Sequence, residues 1–262
     1  MSQAPVILLT FDLEEFDLPL EYNIPISDEK QLLMGRKGLE AISPFLNEKD
    51  ITTTLFTTAR FALAFPHEVK QLSLSHEIAS HSFYHASFEK KDLLNSKVEL
   101  EKIISGPVKG FRMPRMKPVD SAWIKAAGYE YDSSVNPTYI PGRYNNWKFP
   151  RTLYWEDGLF KLPASVSPNL RIPLFWLAFK NMPYPFFKIL ALQTLKKDGY
   201  LSLYFHPWEF VKLDEYPLPF YLKTGSGSVL LSKLHRLVND FKQVARFQCI
   251  SDFIISREES FK

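Results

Sequence analysis

Val6-Ile7-Leu8-Leu9-Thr10-Phe11-Asp12-Leu13-Glu14-Glu15 is a continuous apolar run that ends in carboxylates. A strand buried on both faces reads this way, as in a parallel sheet lying under helices. If the extended conformation continues past Phe11, Asp12 and Glu14 point to one side, and Leu13 and Glu15 to the other. Two carboxylates on one side repel unless a cation or a shared proton lies between them. The same run also suits an acidic loop in water.

Further along the chain, apolar β-type runs alternate with helical patterns. Residues 52–57, 77–80, 108–111, 201–205 and 247–250 read as strands. Residues 32–47, 66–73, 90–104, 119–127, 185–197 and 230–244 read as helices, with Leu93, Leu94, Val98 and Ile103 near one face of the third. Residues 136–160, rich in Pro, Asn, Gly and aromatics, read as an irregular excursion. Such alternation predicts an α/β fold with a mostly parallel sheet, open or closed into a barrel. No Gly-x-Gly-x-x-Gly turn follows the first strand and no Gly-Lys-Ser/Thr occurs, which disfavours nucleotide-binding versions. With no repeat or linker, residues 1–262 read as a single domain.

Composition narrows the function classes. Hydrophobic residues at 45% supply a large core, and charged residues at 23% argue against disorder. A net charge of +3 gives no reason to expect nucleic acid as a partner. Cys249 is the single cysteine, so a disulfide framework or Cys-rich zinc module is excluded, and it reads as a small packing residue. Residues 1–5 carry no positive charge and the apolar run 6–9 is short for an export signal, so a cytoplasmic protein is expected. The greasy stretch 170–195 contains Pro173, Pro183, Pro185, Arg171, Lys180 and Lys188, unlike a bilayer-spanning helix. It reads as a wall of the core or of a cleft, or else as a peripheral membrane contact.

Polar residues gather at the carboxyl ends of the expected strands, where α/β folds place their sites. Ser80-His81-Ser82-Phe83-Tyr84-His85 holds two histidines four apart, which on a helical turn would meet one ion. His67 and His76 read instead as solvent-facing. Arg112, just past the strand 108–111, either covers a sheet end or holds a carboxylate in its planar fork. His206, fixed by Pro207 and beside Trp208, reads as a strand cap or as a proton donor near a flat sugar-binding surface. A serine nucleophile is disfavoured, since Gly225-Ser226-Gly227-Ser228 lacks the spacing of a nucleophile elbow.

The order carboxylates, His-x-x-x-His, Arg-x-Pro, His resembles the polysaccharide deacetylases of the NodB-homology type, carbohydrate esterase family 4. The phrases His76-Glu77-Ile78-Ala79-Ser80-His81, Tyr131-Asp132-Ser133-Ser134 and Tyr204-Phe205-His206-Pro207-Trp208-Glu209 carry the likeness, which runs from about residue 6 to residue 254. It implies a distorted (β/α)7-type barrel, a divalent ion, most often Zn2+, and removal of an acetyl group from an N-acetylated sugar. Asp12 then matches the catalytic base, Arg112 the residue orienting it and His206 the general acid. His81 and His85 match metal ligands, and Pro114 and Trp208 fall where substrate is held.

One position departs from the commoner family pattern. Leu13 stands where a second, metal-binding aspartate would follow the base. A branch with Asp-x-Asp or Asp-x-Glu spacing takes the ligand from the third position, which here is Glu14. Asp132 has no role from the likeness, although a carboxylate near His206 would raise that imidazole's pKa. The alternatives are a hydrolase of a non-sugar amide, like relatives resembling allantoinase, and a non-catalytic sugar-binding member.

Overall fold

The computed structural model describes residues 4–258; Met1–Gln3, part of the stretch read for export, lie outside them. The strands are β1 Val6–Leu13, β2 Thr54–Thr57, β3 Glu77–Ser80, β4 Gly110–Phe111, β5 Tyr131–Asp132, β6 Tyr139–Ile140, β7 Tyr144–Asn145, β8 Tyr154–Glu156, β9 Leu159–Lys161, β10 Tyr200–Phe205 and β11 Arg246–Phe247. The helices are α1 Asp28–Leu46, α2 Ala59–Ala64, α3 Pro66–Leu72, α4 Lys91–Ile104, α5 Ser121–Ala126, α6 Trp176–Asn181, α7 Tyr184–Asp198, α8 Phe220–Lys223, α9 Ser228–Lys242 and α10 Ile250–Arg257. Short 3-10 turns cover Leu18–Tyr22, Pro114–Met116 and Pro207–Phe210.

The main sheet runs β10-β1-β2-β3-β4-β5-β9-β8, parallel throughout except for the β8–β9 hairpin. It curls towards closure, because the segment after β9 reaches the free edge of β10. There Ser165 N–H donates to the Ser202 carbonyl at 3.0 Å and Ser202 N–H donates to Ser165 Oγ at 2.8 Å. The fold is therefore α/β with a curled half-barrel sheet, in keeping with the distorted (β/α)7-type barrel that the resemblance implies.

Alternation along β1 divides the core. Val6 and Leu8 join Phe56, Tyr131, Phe160 and Tyr200 in an inner cluster, which α10 plugs with Ile250, Phe253 and Ile254. Ile7, Leu9, Phe11 and Leu13 face outwards into the larger cluster under the helices. Asp12 and Glu14 follow the inward set, so they emerge at one mouth of the curled sheet.

Several local expectations are corrected. Residues 247–250 are not a strand: pairing stops at Phe247 and α10 begins at Ile250, whose spacing with Phe253 and Ile254 is helical. Leu94 and Val98 lie on the exposed side of α4, and its buried line is Leu93, Ser96 and Leu100. The excursion contains an antiparallel hairpin, Tyr139 opposite Asn145 and Ile140 opposite Tyr144, as well as β8. His76 is buried: Thr53 N–H donates to its Nδ1 at 3.4 Å, and its Nε2 lies 3.1 Å from the Leu46 carbonyl. Among the described residues, no helix is long and apolar enough to cross a membrane. Stretch 170–195 builds core through Leu174, Phe179, Phe187 and Leu195, while Leu170, Phe186 and Ile189 are exposed.

Candidate active site

A cleft of about 270 Å³ opens at the carboxyl ends of the strands, and Asp12, Glu14, His81, His85, His206 and Trp208 all line it. The register explains the convergence. His206 comes one residue after the paired end of β10, His81 one after β3 and Arg112 one after β4. Side chains far apart in the chain thus meet at one rim.

Asp12 and Arg112 form the inner pair. Arg112 Nη1 donates to Asp12 Oδ1 at 2.6 Å and to Thr10 Oγ1 at 2.9 Å. Its Nε donates to the Ser133 carbonyl, its Nη2 to Ser133 Oγ, and its guanidinium carbon sits 3.9 Å over the Phe56 ring. With Arg112 only 1% exposed, this fork has one orientation, and Asp12 has one oxygen held. The other oxygen, Oδ2, stands 3.8 Å from both His81 Nε2 and His206 Nε2.

Beside that pair is a carboxylate–imidazole cluster. Glu14 Oε2 lies 3.2 Å from His81 Nε2 and 3.1 Å from His85 Nε2, and the two rings stack at 5.5 Å. His81 and His85 do not share the helical turn expected of their spacing. They flank a loop in which Ser82 has φ +68°, a left-handed value stabilised where Ser82 N–H donates to Ser80 Oγ and the Ser82 carbonyl accepts from Ala59. Glu15 turns away to accept from Thr58 at 2.6 Å, with Arg60 at 3.8 Å. Alternation from β1 thus places Glu14, not Glu15, on the site side.

The outer nitrogens of both rings are occupied. His81 Nδ1 lies 2.8 Å from the Arg112 carbonyl, which can only accept, so the ring proton sits on Nδ1. His85 Nδ1 lies 2.6 Å from Asp17 Oδ1, and Arg115 in turn donates to Asp17 Oδ2 at 2.6 Å. Burial disfavours the His85 imidazolium, but Glu14 and Asp17 outweigh it and push its pKa up to about 9. Burial also disfavours the Glu14 carboxylate, yet His85, His206 and His81 hold its pKa well below the usual carboxylate range. Glu14 Oε1 accepts from the Trp208 indole at 3.0 Å, while Glu14 Oε2 and His81 Nε2 are buried with no hydrogen-bond partner.

These orphaned atoms fit a cation. In a four-coordinate zinc site, bonds of about 2.0–2.1 Å put ligand atoms about 3.3 Å apart. The observed separations of 3.1 and 3.2 Å are close to that. Ligand histidines whose second nitrogen is fixed by a carboxylate or carbonyl are the usual supporting arrangement. Glu14, His81 and His85 form one candidate metal group; Asp12, Glu14 and His206 form an overlapping one.

His206 has its own partner, which sequence reasoning left without a role. Glu209 Oε1 accepts from His206 N–H at 2.8 Å and lies 3.0 Å from His206 Nδ1, so Nε2 is turned to the cleft. Buried Lys180 stands 3.6 Å behind Glu209. Burial opposes the His206 imidazolium, but Glu14, Glu209 and Asp12 overcome it and raise its pKa. A carboxylate three residues after His206, with proline between, is a capping-box spacing, and that was the available signal. Asp17 had no comparable signal.

Other expectations change. Asp132 does not tune His206, because it is taken up by Lys161 Nζ at 2.8 Å and by the Ser134 amide and hydroxyl. Pro114 is buried and does not line the cleft; Met113, Arg115 and Met116 do. Trp208 lines it while lying 3% exposed, stacked on His206 at 4.8 Å. From stretch 170–195, Phe175, Trp176 and Leu177 supply one wall.

An arginine-held aspartate, a Glu–His–His cluster and a cleft histidine at the mouth of a curled parallel sheet define a barrel-type hydrolase site. Comparison with known proteins narrows the class. The polysaccharide deacetylase family model matches residues 2–132, and the chain belongs to that family of hydrolases. No curated protein sequence matches. Solved structures share the fold at low identity. A Mycobacterium smegmatis protein assigned as a polysaccharide deacetylase is 16% identical, with 100% of this chain and 96% of that one covered at TM-score 0.67. One from Pseudomonas aeruginosa PAO1, assigned likewise, is 13% identical, with 97% and 91% covered at 0.69. The Puue allantoinase is 14% identical, with 97% and 90% covered at 0.66.

Proposed function

We propose that this deacetylase is metal-dependent and removes the acetyl group from an N-acetylated sugar, with Glu14, His81 and His85 holding a divalent ion, most suitably zinc. The observation that carries the reading is the unpartnered Glu14 Oε2 facing His81 Nε2 and His85 Nε2, whose outer nitrogens are already fixed. Such an ion, when bound, lowers the pKa of water and polarises the acetamide carbonyl.

The chain's own residues then divide the proton work. Asp12 Oδ2 takes the proton of the attacking water, with Oδ1 held by Arg112 so that the free oxygen faces the cleft. The C–O bond forms first, with the carbonyl electron pair moving onto oxygen, and the C–N bond breaks as that pair returns. His206, whose Nδ1 is held by Glu209, delivers a proton from Nε2 to the departing nitrogen, leaving acetate and a free amine. Trp208 serves Glu14 and His206 together, by a hydrogen bond to one and a stacked face to the other. The test is metal analysis of the purified protein together with acetate release from a panel of N-acetylated glycans. Zinc at about one per chain with release from the panel is expected; a metal-free protein that still deacetylates would overturn the metal role.

A further inference from the structure

The contacts around the mouth of the cleft form a closed ring. Glu21, from the 3-10 turn Leu18–Tyr22, pairs with Arg143 of the β6–β7 hairpin at 2.7 Å. The stem of that hairpin is tied to the strand-like run leading to Phe175, since Arg171 donates to the Pro137 carbonyl and Thr138 Oγ1 to the Arg171 carbonyl. That run continues into α6, where Asn181 donates to the Tyr221 carbonyl of α8 at 2.9 Å. Tyr221 Oη then meets Tyr22 Oη at 3.1 Å, back at the first turn. Glu21, Tyr22, Arg143, Phe175 and Tyr221 all line the cleft, and Arg143 and Tyr221 are about half exposed, which puts them at its lip.

A sugar unit inside a polymer carries glycosidic bonds on two sides, and both must leave the site. An open-ended groove provides two exits, whereas a ring provides one. The cleft behind this lip measures about 270 Å³. We propose that the site takes a free or chain-terminal N-acetylated amino sugar and rejects units inside a chain, with the Glu21–Arg143 and Tyr22–Tyr221 contacts setting that choice. This inference rests on the deacetylase reading above and specifies its substrate.

The test uses the zinc-loaded full chain on free N-acetylhexosamines and on a fully acetylated tetramer of N-acetylglucosamine. Mass-spectrometric sequencing then locates each new amine. We expect the monosaccharide and tetramer to be used with kcat/KM within about tenfold, with amines at end units alone. Glu21→Gln with Arg143→Gln, and separately Tyr221→Ala, should raise the internal share of product severalfold. Internal units deacetylated by the parent as readily as ends would overturn the inference and leave the deacetylase reading standing. Opened variants that remain confined to ends would overturn the role of the two contacts. Absence of acetate from every sugar would overturn the deacetylase reading and this inference together.

Discussion

Asp12 has one oxygen bound and one free, and this division gives the sharpest test of roles. Asp12→Asn retains shape but cannot take a proton, so acetate release should fall roughly 10²-fold or more with metal content intact. His81→Ala should lose the ion instead, as read by elemental analysis. If both variants deacetylate like the parent, the assignment of roles is wrong. His206 makes a separate prediction. Its raised pKa keeps the imidazole protonated to higher pH than an ordinary histidine, and activity is lost as pH rises through that value, above the ordinary 6.5. A kcat/KM profile should show this alkaline limb in the parent. An unchanged limb in His206→Asn would remove His206 from the role of acid.

At the scale of elements, α1 bears directly on the site through two glycines. A Cβ at Gly35 would stand 2.3 Å from the Glu14 carbonyl, and one at Gly38 2.4 Å from the Pro207 carbonyl carbon and the Trp208 nitrogen. Alanine would add about 1 kcal/mol of helix propensity in an exposed helix. Here it meets backbone on both site segments, which cannot rotate away. Gly38→Ala should therefore lower both the melting temperature and acetate release; a variant more stable and fully active would show that α1 does not set the position of the His206 turn.

The joint between β2 and β3 makes a prediction about acid. Burial lowers the pKa of His76, whose ring is satisfied as the neutral form between Thr53 and Leu46. Its folded pKa lies below the unfolded value near 6.5, so unfolding takes up a proton. The stability it contributes is complete above about pH 6.5 and is lost as pH falls towards the folded value. Urea midpoints at pH 7.5 and 5.5 should differ less in His76→Gln than in the parent. An equal difference would show that His76 is not a source of acid sensitivity.

Across the whole molecule, an ion held by the proposed group Glu14, His81 and His85 would tie together loops from β1 and β3, so its binding should stabilise the fold. At a free zinc concentration a hundredfold above Kd the gain is about 2.7 kcal/mol, which for a chain of this length is about 5–10 °C in melting temperature. Below about pH 9 a bound ion would have to displace a proton from His85, so the shift should shrink as pH falls. Thermal scans with zinc and with chelator measure it, and His81→Ala should abolish it. A shift of equal size in that variant would place the ion elsewhere.

Much of this was determined along the chain itself. The alternation of apolar runs and helical patterns is a local property, and it dictates a parallel sheet because each buried face must be covered by the next helix. Period-two geometry in β1 likewise separated Glu14 from Glu15, and the likeness in four short motifs pointed to Asp12, His81, His85, Arg112 and His206. What required the tertiary structure were relations between residues distant in sequence: Asp17 behind His85, Lys180 behind Glu209, the burial of His76 and the ring closed by Tyr22 and Tyr221. Pairings of this kind leave no local periodicity, because they arise only when sheet register and loop packing bring separate segments to one place.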